Sequence, residues 1–307
     1  MPSIVKPAVA HPSLHRNELG LTVRDYEGAM STLCAGCGHD SITAAIVRAL
    51  WELSTPPHML AKLSGIGCSS KTPTYFVNGS HGFNSAHGRM PPIATGANAA
   101  NRELTYIGIS GDGDSLSIGL GHLCHAMRRN LDVTYIVMDN QIYGLTTGQA
   151  SPTTTRGAKT KSTPKGNAEV PLNPVAIAIT AGATFVARGY TGEQKHLIDL
   201  IAAGISHKGF SLIDVYSPCV TYNKVNTYSF FKERVYKLED EGWDPTDFHK
   251  SITKSFEWGD KIPLGILYKS DQTTYEDVEP VLQRGPLVKQ KLGLSKEQMD
   301  EFVEEMI

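Results

Sequence analysis

The sequence predicts an α/β protein built on a doubly wound, mostly parallel sheet, and three observations carry that expectation. Short apolar segments of strand length alternate with stretches in which apolar residues recur at helical spacing, the pattern of a sheet covered on both faces. One unit is complete: a strand at 105–110, a helix at 115–129 and a strand at 133–138 make a βαβ arrangement. The chain has 307 residues, 40% hydrophobic and 20% charged, which is enough to bury one large core or two modest ones.

Taken in order, residues 1–30 are rich in Pro and His without a sustained period, and read as an N-terminal arm that orders against another surface. A helix is predicted at 40–53, where Ile42, Ala45, Ile46, Ala49 and Leu50 fall on one face and Asp40 or Ser41 can cap. After the βαβ unit, residues 147–171 form a long loop of Thr, Pro, Lys and Gly; loops of that length in a compact domain are functional or held by a partner. Helices at 173–181 and 193–207 then alternate with strands at 184–187 and 211–216. That gives about five or six strands in one domain spanning 31–225. Residues 226–307 turn more polar, with one further strand at 263–268, and read as a C-terminal extension packing on a partner subunit. No internal repeat is present.

A net charge of −2 gives no electrostatic reason for a nucleic acid or an anionic membrane as partner. No apolar run approaches the ~18 residues that span a bilayer, and no export signal is read at the start, so the cytoplasm is the expected compartment. In such a reducing setting the five cysteines are ligands or core thiols rather than disulfides.

The strand at 105–110 runs straight into Gly111-Asp112-Gly113-Asp114-Ser115, and the strand at 133–138 into Asp139-Asn140-Gln141-Ile142-Tyr143-Gly144. A right-handed crossover sets these strands side by side, so both turns open at the same carboxyl edge, where open α/β sheets bind ligands. Asp112 and Asn140 can then reach one hard cation, and Mg²⁺ completes its octahedron with phosphate oxygens, a carbonyl and water. The missing ligands imply a phosphorylated cofactor, with Gly111 and Gly113 admitting close approach and the helix from Ser115 offering N–H groups to a diphosphate. The Gly-Asp-Gly and Asn pairing resembles the thiamine-diphosphate motif of the transketolase, pyruvate decarboxylase and oxidoreductase families.

Cys34-Ala35-Gly36-Cys37 has the spacing that grips one metal. Cys68 in Gly-Ile-Gly-Cys-Ser-Ser and Cys219 in Ser-Pro-Cys-Val-Thr supply two further thiols after strands. Four soft ligands from three segments suit zinc or a cubane iron-sulfur cluster. Two singletons on a large sheet, rather than two close pairs on a small ribbon, favour a cluster beside the active site. Cys124, among Leu123, Ala126 and Met127, reads as a buried structural thiol.

With these motifs together, the chain resembles the β subunit of 2-oxoacid:ferredoxin oxidoreductases, of the two-subunit type close to 2-oxoglutarate oxidoreductase. The resemblance is dense over residues 30–225 (LCAGCGH, GIGCSSK, HGR at 87–89, GDGD, DNQIYG, SPCVTYN) and looser beyond. It implies the thiamine-diphosphate-binding fold, with Cys34, Cys37, Cys68 and Cys219 on a 4Fe-4S cluster. Ile66, Gly67, Cys68, Ser69 and His87 would line the cofactor; Asp112, Asn140 and the Ile142 carbonyl would bind Mg²⁺; Gly113, Asp114, Gly144 and Leu145 would shape the diphosphate pocket. Lys71 would meet the distal carboxylate of the substrate, and His87 would assist proton transfer. Implied partners are an α subunit that bears the activating Glu, ferredoxin, a 2-oxo acid and coenzyme A. Without a run of closely spaced cysteines, the chain would carry one cluster and be catalytically incomplete alone. The competing expectations are a non-redox thiamine-diphosphate decarboxylase or synthase with structural zinc, and a scaffolding subunit that has lost catalysis.

Overall fold

The computed structural model describes residues 4, 6–7, 11–291 and 293–307. Its elements in chain order begin with helix α1 (Gly38–Glu52), strands β1 (Leu60–Ser64) and β2 (His81–Asn84), helix α2 (Met90–Ala100) and strand β3 (Thr105–Gly111). Helix α3 (Leu120–Arg128), strand β4 (Val133–Asp139), helix α4 (Pro174–Ala181), strand β5 (Phe185–Tyr190), helix α5 (Gln194–Ser206) and strand β6 (Phe210–Tyr216) complete the doubly wound part. Helix α6 (Tyr228–Lys232), strand β7 (Val235–Lys237), helix α7 (Phe248–Ser255), strand β8 (Ile262–Lys269) and helices α8 (Tyr275–Val278), α9 (Pro280–Gln283) and α10 (Lys296–Glu304) follow.

One eight-stranded sheet runs β2-β1-β3-β4-β6-β5-β8-β7. The six strands from β2 to β5 pair in parallel, while β8 joins β5 antiparallel. The expectation of five or six strands falls short because the segment at 263–268 belongs to the same sheet: it forms β8, and β7 pairs with it. Adding β8 antiparallel covers the edge that β5 would otherwise expose.

Both faces are covered, as the apolar runs require. Tyr135 and Val137 of β4 point to one side, where Met90, Leu123, Met127, Val175 and Ile179 of α2, α3 and α4 pack. Ile136 and Met138 point to the other, against Ile46 and Leu50 of α1 and Leu197 and Ile201 of α5. Period-two alternation thus feeds two cores from one strand, each fully buried Ile or Leu adding ~1.5–3 kcal/mol. A smaller aromatic core (Tyr190, Tyr216, Phe231, with Ile262 and Leu264) ties α6 and β8 to the sheet.

α1 starts earlier than its apolar period suggested, with Cys37 rather than Asp40 or Ser41 at the cap position. Part of the expected arm, residues 1–3, 5 and 8–10, lies outside the described residues. From His11 the arm lies on its own chain: Tyr26 is fully buried, its hydroxyl donates to the Thr55 carbonyl at 2.8 Å, and the Val77 N–H donates to its carbonyl at 2.8 Å. Among the described residues, no helix is long and apolar enough to cross a membrane.

Candidate cofactor and metal site

β3 and β4 pair with Gly111 opposite Met138, so the turns bearing Asp112 and Asn140 emerge side by side at the carboxyl edge. Both side chains are buried and line one cleft. Asn140 is held from three directions. Its Oδ1 accepts the Ile142 N–H at 3.1 Å, its carbonyl accepts from Asn223 Nδ2 at 3.0 Å, and its Nδ2 lies 3.4 Å from His39 Nε2. Burial lowers His39 to about 4, so the ring is neutral; Nε2 accepts from the amide and Nδ1–H donates to Ser217 Oγ at 2.7 Å. Gln141 adopts left-handed backbone (φ 57°), fixed by Asp139 Oδ1 on its N–H and the Thr154 hydroxyl on its carbonyl. Strain of that kind persists only where neighbours over-determine it.

Thr153, from the long loop at 147–171, reaches into this edge. Its Oγ1 lies 2.7 Å from Asp112 Oδ2 and 2.9 Å from Asp139 Oδ1. Two buried carboxyls so converge on one hydroxyl. Burial pushes both acids up, and Asp139 rises well above the carboxylate range because Asp112 and Asp214 add like-charge repulsion. Thr153 so ties the two turns of this edge together. Behind them Asp214, fully buried and raised to about 6 chiefly by desolvation, faces Arg188 Nε at 3.6 Å. A single guanidinium against three buried acids leaves the edge short of positive charge.

Asp114 turns out to be a brace. Its Oδ1 accepts the Ile66 N–H at 3.1 Å and the Gly88 N–H at 2.7 Å and lies 2.8 Å from His87 Nδ1, while Oδ2 takes the Ser110 hydroxyl at 2.6 Å. One carboxylate so fixes three loops, including both sides of the cleft. The helix expected from Ser115 opens with a π turn at Asp114–Ile118 before α3, a local form common at functional sites. A Cβ on Gly113 would lie 2.2 Å from the Tyr143 ring, whose hydroxyl donates to the Gly113 carbonyl at 3.0 Å; only glycine fits there. Ser69 Oγ is buried at the cleft without a partner among the described residues, whereas Ile66 and Leu145, 39% and 49% exposed, form an apolar rim.

Cys124, expected as a buried structural thiol, stands apart on α3 but is only half-buried, packed against the core. The other four feel one another. Burial pushes the Cys37 thiol up to about 12, with Cys219, Asp40 and Cys68 adding repulsion; burial also raises Cys68, with Cys219 and Cys34 adding and Lys71 opposing. Among the described residues, no three His, Cys, Asp or Glu side chains close up enough to hold a single ion. Gly144 joins these thiols to the cleft: a Cβ there would lie 3.5 Å from Cys68 Sγ, 3.9 Å from Cys219 Sγ and 3.8 Å from Asn140 Nδ2. Lys71 donates to the Thr32 carbonyl at 3.2 Å, beside the Cys34 segment.

Ile66, Gly67, Cys68, Ser69, His87, Asp112, Gly113, Asp114, Asn140, Ile142, Gly144 and Leu145 line the cleft; Lys71, expected to meet the substrate, does not. Sequence reasoning missed Thr153, the acidic pair Asp139 and Asp214, and the His39–Ser217 prop. His39 and Asp139 lay inside quoted motifs, but nothing in the sequence singles out Thr153 from its neighbouring threonines.

Residues 65–215 match the model of the thiamine pyrophosphate enzyme C-terminal TPP binding domain, and residues 219–284 that of the C-terminal part of the pyruvate ferredoxin oxidoreductase beta subunit. The chain is 46% identical over 264 residues, 82% of its length and 86% of the relative's, to a 2-oxoacid:ferredoxin oxidoreductase subunit beta of Saccharolobus solfataricus. It is 44% identical over 190 residues, 62% of its length and 50% of the relative's, to the 2-oxoglutarate oxidoreductase subunit KorB of Mycobacterium tuberculosis. The solved 2-oxoglutarate:ferredoxin oxidoreductase from Magnetococcus marinus, with 2-oxoglutarate, coenzyme A and succinyl-CoA bound, superposes with a TM-score of 0.86 at 34% identity, covering 95% of this chain and 99% of that one. The fold, the shared carboxyl edge and these likenesses agree, and the chain belongs to the beta subunits of the 2-oxoacid:ferredoxin oxidoreductases, a family of oxidoreductases built on a thiamine-pyrophosphate-binding domain.

Proposed function

We propose that this subunit, with an α subunit, oxidatively decarboxylates 2-oxoglutarate in the cytoplasm: 2-oxo acid, coenzyme A and two oxidised ferredoxins give acyl-CoA, CO₂, a proton and two reduced ferredoxins. The observation that carries the proposal is the shared wall at Gly144, with the Asn140 amide on one side and two of the four thiols on the other.

The residues fit the groups this requires. Asp112, Asn140 Oδ1 and the Ile142 carbonyl offer three oxygens for Mg²⁺, whose charge offsets the buried acids, and a diphosphate and water complete the shell. Ser69 Oγ, buried without a partner, is a donor for the cofactor, and Ile66, Gly67, Cys68, Gly113 and Leu145 enclose it. Cys34, Cys37, Cys68 and Cys219 would hold a 4Fe-4S cluster, four thiols from three segments being the ligand set such a cluster takes. When bound, thiamine diphosphate supplies an electron sink for the carbanion left by CO₂. The chain's own part is placement. Asp114 turns His87 so that Nε2 is the nitrogen left for proton transfer in the cleft, and the apolar rim excludes water. Lys71 offers a charge to the distal carboxylate of the substrate, released from the Thr32 carbonyl.

Co-expression with the α subunit tests this. The purified complex is expected to be brown, with a visible band bleached by dithionite, to contain magnesium, and to reduce viologen fastest with 2-oxoglutarate in a panel of 2-oxo acids. A colourless complex with stoichiometric zinc would sink the proposal in favour of a non-redox enzyme. Lys71→Ala should reduce kcat/KM for 2-oxoglutarate ~10-fold or more, the scale of one lost charged hydrogen bond, and pyruvate far less; equal losses would remove Lys71 from substrate selection.

A further inference from the structure

On the far side of Thr153 from the cleft lies a second cavity, of about 230 Å³, beside β4, β5 and β6 and closed by the end of the long loop and the turn after α7. Its mouth is apolar, with Val170, Leu172, Phe256 and Trp258 exposed around it. Its floor is polar and buried. Arg188 and Gln141 line it, are 2% and 5% exposed, and each keeps an atom with no hydrogen-bond partner among the described residues: Arg188 Nη1, a donor, and Gln141 Oε1, an acceptor.

Arg188 is fixed in place without being used up. Its Nη2 donates to the Ser255 carbonyl at 3.2 Å and to Asn173 Oδ1 at 3.4 Å, its Cζ stands 5.5 Å from the Tyr216 ring centroid, and its Nε is 3.6 Å from Asp214 Oδ2, beyond hydrogen-bond reach. Of the acids on the cavity wall, Glu257 is paired with Lys254 at 2.7 Å and Asp139 is turned to the Thr153 hydroxyl. Buried donors and acceptors are paired in folded chains, so two unmatched atoms in one cavity call for an occupant that matches them. A carboxylate is the group a guanidinium holds best, and the Gln141 amide, turned about its last bond, presents N–H to the same head. The apolar mouth takes the rest of such a molecule, and the volume is too small for coenzyme A.

The cavity also shares a wall with the cleft. Gln141 stands between Asn140 and Ile142 in the chain, yet through its left-handed backbone it lines the cavity while they line the cleft. Thr153 and Asp139 line the cavity too, and the Thr153 hydroxyl reaches Asp112 in the cleft at 2.7 Å.

We infer that this cavity is an effector site for a small monocarboxylate with a branched or aromatic apolar body. The carboxylate sits on Arg188 and Gln141, the body lies against Leu172, Phe256 and Trp258, and occupancy tightens the cofactor cleft next door. A ligand that holds Gln141 also holds the strained turn from which Asn140 and Ile142 project, so less ordering is left for the cofactor to impose. The linkage rests on the magnesium and diphosphate reading above; the binding itself does not.

The test is calorimetry on the complex with the α subunit, with 3-phenylpropionate and 4-methylpentanoate as probes and 3-phenylpropan-1-ol as the uncharged control. Both acids should bind, and the alcohol ~10-fold or more weaker, the scale of a lost hydrogen bond to a charged group. Arg188→Met should abolish binding; because it strands Asp214, its fold is checked by melting. Phe256→Glu, which puts a negative charge at the exposed rim and disturbs no buried group, should weaken 3-phenylpropionate ~10-fold or more and leave viologen turnover with 2-oxoglutarate unchanged. Saturating 3-phenylpropionate should lower the Kd for thiamine diphosphate with Mg²⁺ ~5-fold or more. No binding to the wild-type complex, equal binding of the alcohol, or undiminished binding to Phe256→Glu overturns the site. Binding that leaves the thiamine diphosphate Kd unmoved overturns the linkage. A wild-type complex that binds the acids but no thiamine diphosphate overturns the cofactor reading and the linkage with it, and leaves the cavity's ligand standing.

Discussion

At the level of single residues, the cleft is set by side chains that fix one another before any ligand arrives. Asn140 is oriented by its own turn, by Asn223 and by a neutral His39, and Asp112 by the Thr153 hydroxyl that it shares with Asp139. Such pre-organisation is what the proposed Mg²⁺ site of one carboxylate, one amide and one carbonyl requires. Asp112→Ala is therefore expected to abolish thiamine diphosphate binding, followed by calorimetry, while the cluster's absorption survives; wild-type turnover in that variant would remove Asp112 from the metal site. The place of Asp112 and Asn140 in the cleft was legible because Gly-Asp-Gly and Asp-Asn each end a strand. Thr153 was not, because the contact that gives it meaning spans 41 residues of chain and rests on a loop with no periodicity.

Whole elements were legible where local pattern and burial agree. The βαβ unit from β3 to β4 follows its apolar runs to within a residue or two, since each strand feeds both cores. α4, expected at 173–181, is capped by Asn173, whose side chain accepts the Ala176 N–H at 3.1 Å, and ends at Gly182 in left-handed backbone. β7 was invisible: three half-buried residues carry no period. At the end of α5, His207 stacks on Phe185 and lies 2.8 Å from Thr184 Oγ1; burial first, and then the Lys269 charge, lower it below the ordinary histidine value. The unfolded chain then binds a proton that the folded chain refuses. Stability from this group is undiminished above about pH 6.5 and falls as acidification proceeds below it. His207→Gln should accordingly flatten the loss of urea midpoint between neutral and mildly acidic pH, and an unchanged slope would exclude this histidine as its source.

Across the whole molecule, one sheet gathers nearly the entire chain, and the boundary expected near residue 225 is crossed by β8 pairing with β5. Sequence pattern could not place β8, because which strand it joins is decided by two edges meeting across 80 residues. Beyond it, apolar side chains stay in the open: Val288, Leu294, Phe302 and Met306 are 62%, 56%, 53% and 75% exposed. Removing residues 286–307 is expected to leave the melting temperature of the isolated subunit within a few degrees and to prevent co-purification with the α subunit; retained assembly would show that this tail is not the contact. The glycine between cleft and thiols has a further consequence. A methyl group at position 144 meets only ordinary van der Waals distances in the bare chain, so Gly144→Ala should melt like the parent protein. Yet on the proposed function that methyl would stand between the cofactor cleft and the thiols, and the variant should bind less iron per chain and reduce its acceptor more slowly. A missing side chain would then set how closely the two halves of the proposed reaction approach each other.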